Sequence, residues 1–444
     1  MKYKQVLQML DSIPYLSVGL DVGSDFSWMS IALPNGAFIG KPFKIIHADP
    51  MSRDLAVSKI KEAQETYSLE SRCFLESTGI YHIPLLCFLR DKGFDCSVIN
   101  PIITKNSTNM NIRKLHNDKF DSKKAALVGL NASLKTSILP DDAVIDLRNL
   151  VRDYYYFKDL QSAVVLKLNA ELKVSFPAYL KVFSKITTQS SLKLLDAYPL
   201  AADMLAAPKE ELISIIRSTA RFGLAYALNK YEAICNAAKD AAVFGRALPS
   251  NAVRIRLYIQ TYQEYQRHLD AILKALHQSV DKLHGSPVYD QICLLQSLRG
   301  VGFLSATVLI AEMGSFDLFS SSKKLYAYFG LDPAVRQSGK FNGDKVHMSK
   351  RGSSLARRIL HMVALNNLKV DKCSKLPVNP VIYDYYVQKC SEKKKKVAVG
   401  AVMHKICNII FAMLRDNKPF EIITPQEHCR RYAAGQPSAS GEAA

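Results

Sequence analysis

The chain has 444 residues, 48% of them hydrophobic, and at roughly 100–200 residues per domain that is enough for two or three cores. Fifty-nine Lys and Arg stand against forty Asp and Glu, a formal charge of +19. Such a surplus repels itself unless a polyanion neutralises it, so nucleic acid is the first expected partner and an anionic membrane surface the second. There is no run of ~18 uncharged apolar residues, the N-terminus "MKYKQVLQMLDSIP" lacks an apolar core, and the nine cysteines show no CxxC pair or zinc spacing. These features argue against a membrane span, a secreted disulfide scaffold and a zinc finger, and a soluble, intracellular multidomain protein with reduced thiols is expected.

Residues 16–48 hold β-prone runs separated by the turn signals Gly23-Ser24-Asp25 and Asn35-Gly36, which predicts a meander of three strands. A polar helix over 51–66 follows, then the strand "RCFLES", a helix in "YHIPLLCFLRDKGF" ending near Gly93, and the strand "DCSVIN". The order β-β-β-α-β-α-β predicts a mixed sheet with helices packed on it.

Beyond Pro140 the pattern is that of long helices. Leu147, Leu150, Tyr154 and Phe157 recur at 3,4,3 spacing, and Tyr258, Tyr262, Tyr265, Leu269, Ile272, Leu276, Val280 and Leu283 continue a heptad-like series with one stutter. This fits an antiparallel or intermolecular coiled coil, with a helical segment containing Pro177, Pro199 and Pro208 between its arms. It fits an amphipathic helix of a bundle equally well. From residue 290 a third region is rich in small residues and glycine and then becomes basic, while "AAGQPSASGEAA" at the end is expected to be disordered. The expected divisions are 1–145, 146–289, 290–425 and a tail over 426–444.

Four acids are candidates for chemistry. Asp21 ends the strand "LSVGLD", and Glu76 ends "CFLE" before "STGIYH". Asp118 and Asp121 stand at i and i+3 of a helix in "HNDKFDSKK", so their side chains share one face. Four carboxylates around one point repel one another unless cations sit between them, and Mg²⁺, which prefers hard oxygen ligands, is the natural occupant, with Mn²⁺ as a substitute. Arg113, Lys114 and Lys119 nearby would then hold phosphate. Taken singly, Asp121 also reads as an acid favoured by a helix N-terminus, and Asp21 as a turn residue.

In "LQSLRGVGFLSATVLIAEMG" two helices flank a Gly-Val-Gly turn, where Gly300 and Gly302 would let backbone N–H groups approach a phosphate; a helix-hairpin-helix grip and a plain helical turn both fit. Downstream, "YFGLDPAVRQSGKFNGDKVHMSKRGSSLARRIL" surrounds Ser338 with Arg336, Lys340, Lys350, Arg351, Arg357 and Arg358. A hydroxyl in such a field can attack phosphorus, because cations lower the cost of its alkoxide. Ser338 as a turn residue among DNA-holding cations is the alternative.

Taken in order, these motifs resemble the IS110-type insertion-sequence transposases over nearly the whole chain. "GLDVGSDFSW", "FLESTGIYHIPL" and "LHNDKFDSKKAALV" look like the D-E-D-D set of their RuvC-like domain, which has an RNase H fold. "SLRGVGFLSATVLIAEMGSFDLF", "YFGLDPAVRQSGK", "MSKRGSSLARRIL" and "NPVIYDYYVQKCSEKKKKVAVGAVMHKICNIIFAML" are similar to their mainly α Tnp domain. Ser122 and Ala356 depart from the usual alanine and leucine of the family, and His116-Asn117 from a lysine-containing pair.

The resemblance implies a RuvC-like domain, a coiled-coil linker and a Tnp domain. Asp21, Glu76, Asp118 and Asp121 would be metal-binding and Ser338 would be the nucleophile. It also implies donor and target DNA, a structured noncoding bridge RNA as guide, a homo-oligomer from dimer to tetramer, and a bacterial cytoplasmic, nucleoid-associated location. A RuvC-like structure-selective nuclease using water as nucleophile is the rival enzyme, and a non-catalytic nucleic-acid-binding protein the rival from another class.

Overall fold

Leu16, Val18, Leu20 and Val22 alternate with Ser17, Gly19 and Asp21, giving a strand with one apolar face and one of small and polar side chains, β1 (Tyr15–Val22). The computed structural model containing it describes residues 15–76, 81–99, 117–131, 141–219, 223–333, 337–338, 341–342, 347–424, 426–427 and 429–431. Its contacts divide the chain into two units, Met1–Leu139 and Pro140–Ala444.

In the first unit β1, β2 (Phe26–Ala32), β3 (Phe38–Ile46), β4 (Glu70–Glu76) and β5 (Asp95–Ile99) form one sheet in the order β3-β2-β1-β4-β5. The meander β1-β2-β3 is antiparallel, and β4 and β5 join parallel to β1. Gly36, at φ +85°, closes the expected Asn-Gly turn. The even-numbered face of β1 buries Leu16, Val18 and Leu20 against α1 (Pro50–Tyr67) and α2 (His82–Asp91) through Ile60, Leu85, Leu86 and Leu89.

The other face receives α3 (Asp118–Gly129) at unusually close range. A Cβ on Gly19 would lie inside the backbone of Ser122 and 2.7 Å from the Cα of Ala126. Small polar groups fill the remaining seam: the Ser17 hydroxyl donates to the Ala126 carbonyl at 2.6 Å, the Tyr15 hydroxyl to the Gly129 carbonyl at 2.9 Å, and Ser30 and Ser122 share a buried hydroxyl bond of 2.8 Å. The unusual Ser122 thus has a partner on β2. Gly129 lies beside Ser17 and Ser122 beside Gly19, so α3 runs antiparallel to β1 and its N-terminus lies at the Asp21 end of the strand.

The second unit is helical. Its spine is α4 (Asp142–Ser175), followed by α5 (Gln189–Ala197), α6 (Ala201–Ala206), α7 (Lys209–Thr219), α8 (Leu224–Phe244) and the returning arm α9 (Pro249–Asp281). Ser279 bonds Asp146, Gln161 bonds Gln266 at 3.0 Å, and Arg254 pairs with Glu171 at 2.8 Å, so the two arms are antiparallel within one chain. Their far ends enclose a helical core with Leu168, Leu172, Phe176, Ile255 and Ile259. Their near ends enter a different core, where Leu147, Val151, Leu276 and Val280 meet α10 (Pro287–Gln296), α11 (Phe303–Met313), α12 (Ser322–Tyr328), α13 (Ser354–Asn367), α14 (Pro380–Glu392) and α15 (Lys395–Asp416). Among the described helices, α15 alone has the length and apolarity to cross a membrane. Its Val402, Ile406, Cys407 and Ile410 are buried in that second core. All nine cysteines are free thiols.

Alanine normally stabilises a strand interior by about 0.5–1 kcal/mol over glycine. At Gly19 the sign reverses. Gly19→Ala is expected to destabilise the full chain by about 3 kcal/mol, because α3 has to lift off β1. Urea unfolding followed by circular dichroism checks it, and an unchanged midpoint would contradict the close seam.

Candidate active site

Parallel pairing of β1 with β4 aligns Leu20 with Leu75, which sets Asp21 and Glu76 side by side at the same end of the sheet. The third contribution comes from α3. Asn117 caps it by accepting from the Lys119 N–H at 3.1 Å, and the first turn carries Asp118 and Asp121. Because the seam at Gly19 sets the height and direction of the helix, this first turn is delivered to the end of β1 where Asp21 sits. Acids far apart in sequence therefore share one neighbourhood.

The electrostatics register that convergence. The Asp21 carboxyl is pushed up from 3.8 to about 7, first by burial, then by the charges of Asp121, Asp118 and Glu76, with Lys124 pulling the other way. A carboxyl so raised marks an acid whose charged form is opposed by burial first and by its acidic neighbours second. Lys124 supplies part of the neutralisation, bonding Asp121 at 2.6 Å. Among the described residues no three His, Cys, Asp or Glu side chains are gathered tightly enough to cage an ion as they stand. The donor set nevertheless fits a hard divalent cation: four carboxylates, no sulfur or imidazole, and excess negative charge on a half-buried member.

Ser338 belongs to the second unit. It lies in β6 (Gln337–Ser338), which pairs antiparallel with β7 (Phe341–Asn342), Ser338 opposite Phe341. The base of this hairpin is firmly tied. Pro333 bridges Met348, the Ser349 N–H donates to the Asp332 carbonyl at 2.7 Å, and the Lys350 N–H donates to the Gly330 carbonyl at 3.0 Å. The Ser349 hydroxyl also bonds the Asp332 carboxylate. Gly330, at φ +69°, and Gly352 let the two backbones touch, since a Cβ on Gly330 would stand 2.6 Å from the Gly352 nitrogen.

The expected cations divide into groups. Arg113, Lys114, Arg336 and Lys340 lie outside the described residues. Lys119, Lys350 and Arg351 are exposed. Arg357 donates to the carbonyls of Phe329 and Gly352 at 3.0 and 2.7 Å and so braces the same hairpin base. Arg358 forks onto Asp159 at 2.8 and 2.9 Å and lies 4.8 Å over the Tyr155 ring, with 41% of its side chain exposed. Gly300, at φ +81°, would bring a Cβ to 2.9 Å from Asn366, so its turn is required by packing on α13; Gly302 caps α11 with open space around it.

Sequence reasoning missed four residues around these sites. Gly19 inside "SVGLDV" was the findable one, because glycine in a strand interior signals close backbone approach. Lys124 and the Arg152–Glu312 ion pair, 2.7 Å with a Glu312 side chain only 2% exposed, carry no such signal.

Residues 18–177 match the family model of the IS110 DEDD transposases, and residues 293–379 match the transposase IS116/IS110/IS902 family. The chain belongs to the IS110 family. Among its relatives is the pilin gene-inverting protein of Moraxella bovis, 26% identical over 172 residues, which are 38% of this chain and 51% of that protein. The 43.6 kDa protein of insertion element IS110 from Streptomyces coelicolor is 28% identical over 163 residues, 36% of each chain. The 42 kDa protein of insertion element IS900 from Mycobacterium paratuberculosis is 31% identical over 136 residues, 30% of this chain and 31% of that one. The chain thus matches about half the length of the Moraxella protein and about a third of the other two. Asp21, Glu76, Asp118 and Asp121 all fall inside the matched DEDD segment, and Ser338 inside the second matched segment.

The raised Asp21 carboxyl sets a sign for pH dependence. Its folded value exceeds the unfolded 3.8, so the folded state keeps a proton that the unfolded chain has lost, and stability from this group falls between about pH 4 and 7. Without divalent cations at pH 8, Asp21→Asn is expected to melt above the wild type, by on the order of 1–2 kcal/mol after solvent screening. The gain should vanish near pH 4. A thermal melt at the two pH values checks it, and equal melting at pH 8 would mean that the acids do not repel.

Proposed function

We propose that this IS110-family chain is a DNA recombinase of an insertion element, cutting and rejoining strands with Ser338 as nucleophile and with a divalent metal held by its four acids. The observation that carries the reading is the gathering of Glu76 of β4 and Asp118 and Asp121 of α3 around the half-buried Asp21 of β1, whose carboxyl is driven to about 7. The sheet order β3-β2-β1-β4-β5, with an antiparallel meander followed by parallel strands and acids on the two central strands, supports an RNase H or RuvC-like reading of the first unit. Asp21, Glu76, Asp118 and Asp121 would hold Mg²⁺, or Mn²⁺ in its place. When bound, such ions neutralise the carboxylates and stabilise charge on the attacking and leaving oxygens of a phosphoryl transfer.

The chain's own residues do the rest. Ser338 lies on the tied hairpin, and in this reading its Oγ loses its proton and attacks phosphorus as the P–O3′ bond breaks. A 5′-phosphoserine link and a free 3′-hydroxyl result, the leaving oxygen having taken up a proton. Attack of another 3′-hydroxyl on that link restores a phosphodiester and frees the serine, so bond energy is conserved and no nucleotide hydrolysis is needed. The Moraxella relatives are named for gene inversion, a rearrangement that favours rejoining over simple cutting. The surplus of +19 suits donor and target DNA together with a structured bridge RNA, whose pairing would supply sequence choice while the protein reads backbone and shape. A dimer or tetramer would bring the serine of one subunit to the acids of another.

Trapping tests this. Incubation with Mg²⁺ and element-end DNA is expected to leave DNA covalently attached to protein, an adduct abolished by Ser338→Ala and reduced at least ~100-fold by Asp118→Ala, the scale of losing a main electrostatic stabiliser. Continued cutting by Ser338→Ala would instead indicate water as the nucleophile.

A further inference from the structure

Beside the acid cluster the sheet carries a row of aromatic rings with Lys44, Lys119 and Lys123, of which Lys119 alone was expected from the sequence to meet phosphate. β2 pairs Trp28 with Asp21 on one side and with Lys44 on the other, so these three side chains share the sheet face on which α3 lies. Ser30, two residues on, bonds Ser122 of that helix, which fixes the face. Lys119 of α3 stands 4.6 Å over the Trp28 ring, Lys44 stands 3.9 Å over Phe26, and Lys123, one turn beyond Lys119, stands 5.0 Å over Phe38. Trp28 and Phe26 are half-buried rather than core residues, and Lys44 and Lys119 are exposed. Among the described residues none of the three lysines has a carboxylate within ion-pair distance. Lys119 is flanked in sequence by Asp118 and Asp121, yet its ammonium sits over the indole.

We propose that this face, between the Lys119–Lys123 flank of α3 and strand β3, is a track for an unpaired nucleic-acid strand that leads to the acid cluster, with Trp28 as the stacking platform beside it. The inference rests on the reading of the acid cluster as a phosphate-processing site and names what guides the strand into it. A cluster of four carboxylates repels a polyphosphate, so a strand that reaches it needs cations at the rim. The three lysines supply them. Phe26 and Trp28 lie two residues apart on one strand, roughly 7 Å, about the step between neighbouring nucleotides of an extended strand. Rings at that interval, beside lysines free to swing from the ring faces to phosphates as bases take their place, match the way proteins hold single strands without reading sequence. A duplex would keep its bases out of reach of the rings.

Trp28 is the chain's one tryptophan, so its emission reports this face alone. Full-length protein with Ca²⁺ replacing Mg²⁺ would be titrated with dye-labelled oligo(dT), oligo(U) of equal length, and a duplex, with anisotropy following binding and indole emission following the track. Saturable quenching by the single strands is expected, with the tighter of the two homopolymers identifying the strand as DNA or RNA. Trp28→Ala is expected to weaken single-strand binding about tenfold. Lys44→Glu with Lys123→Glu, which keeps the reporter ring, should weaken it at least as much and flatten its salt dependence. Unchanged emission at full saturation, quenching by the duplex alone, or undiminished affinity in both variants would overturn the track. Quenching without any covalent adduct would sink the serine-metal reading and leave the track standing; an adduct with a silent indole would do the reverse.

Discussion

The contact of the α3 backbone with Gly19 of β1 is the constraint on which the first unit turns. With no side chain between helix and strand, the hydroxyls of Ser17, Ser30 and Tyr15 hold the seam, and the first turn of α3 is fixed at the end of β1. Asp118 and Asp121 are thereby set against Asp21 and Glu76, an arrangement that opposes the stability of the metal-free protein. Burial and mutual repulsion hold the Asp21 carboxyl near 7, and Lys124 relieves only part of the charge. Such repulsion among acids suits the divalent-metal reading proposed for this cluster.

The second unit follows a different logic, since its candidate nucleophile is carried on a short hairpin and has to be braced from outside. Two glycines allow the strands at its base to touch, and Arg357 ties the carbonyls of Phe329 and Gly352. The brace continues into the long helices. Tyr328 donates to the Glu312 carbonyl at 3.2 Å, Arg152 of α4 forks onto the Glu312 carboxylate at 2.7 and 3.0 Å, and Arg148 donates to the Ala311 carbonyl at 2.8 Å. The root of the antiparallel helix pair and the base of the hairpin are thus one packed assembly, so movement of the pair would be felt at the hairpin.

Much of this was legible in the residues themselves. Period-2 alternation and turn glycines located the five strands, and the heptad-like series located both long arms. The series could not choose between an intramolecular and an intermolecular partner, because a hydrophobic stripe specifies that it will be covered and not by which chain. Nor could it reveal that the two ends of the arms enter different cores, Leu147 and Leu276 in one and Leu168 and Ile259 in the other. The acids at strand ends were readable as a set, helped by the family likeness of their motifs. The lysines were harder, because a cation's partner is set by tertiary contact: Lys124 turned to Asp121, Lys119 to Trp28, and Arg357 to backbone carbonyls.

The central claim is that the four carboxylates receive a divalent cation in common. Anomalous diffraction from crystals of the full chain grown with Mn²⁺ tests it most directly. Density for manganese between Asp21 and at least two of Glu76, Asp118 and Asp121, with Lys124 withdrawn from Asp121, is the expected result. Crystals with saturating Mn²⁺ and no peak there, or manganese bound only elsewhere, would contradict it.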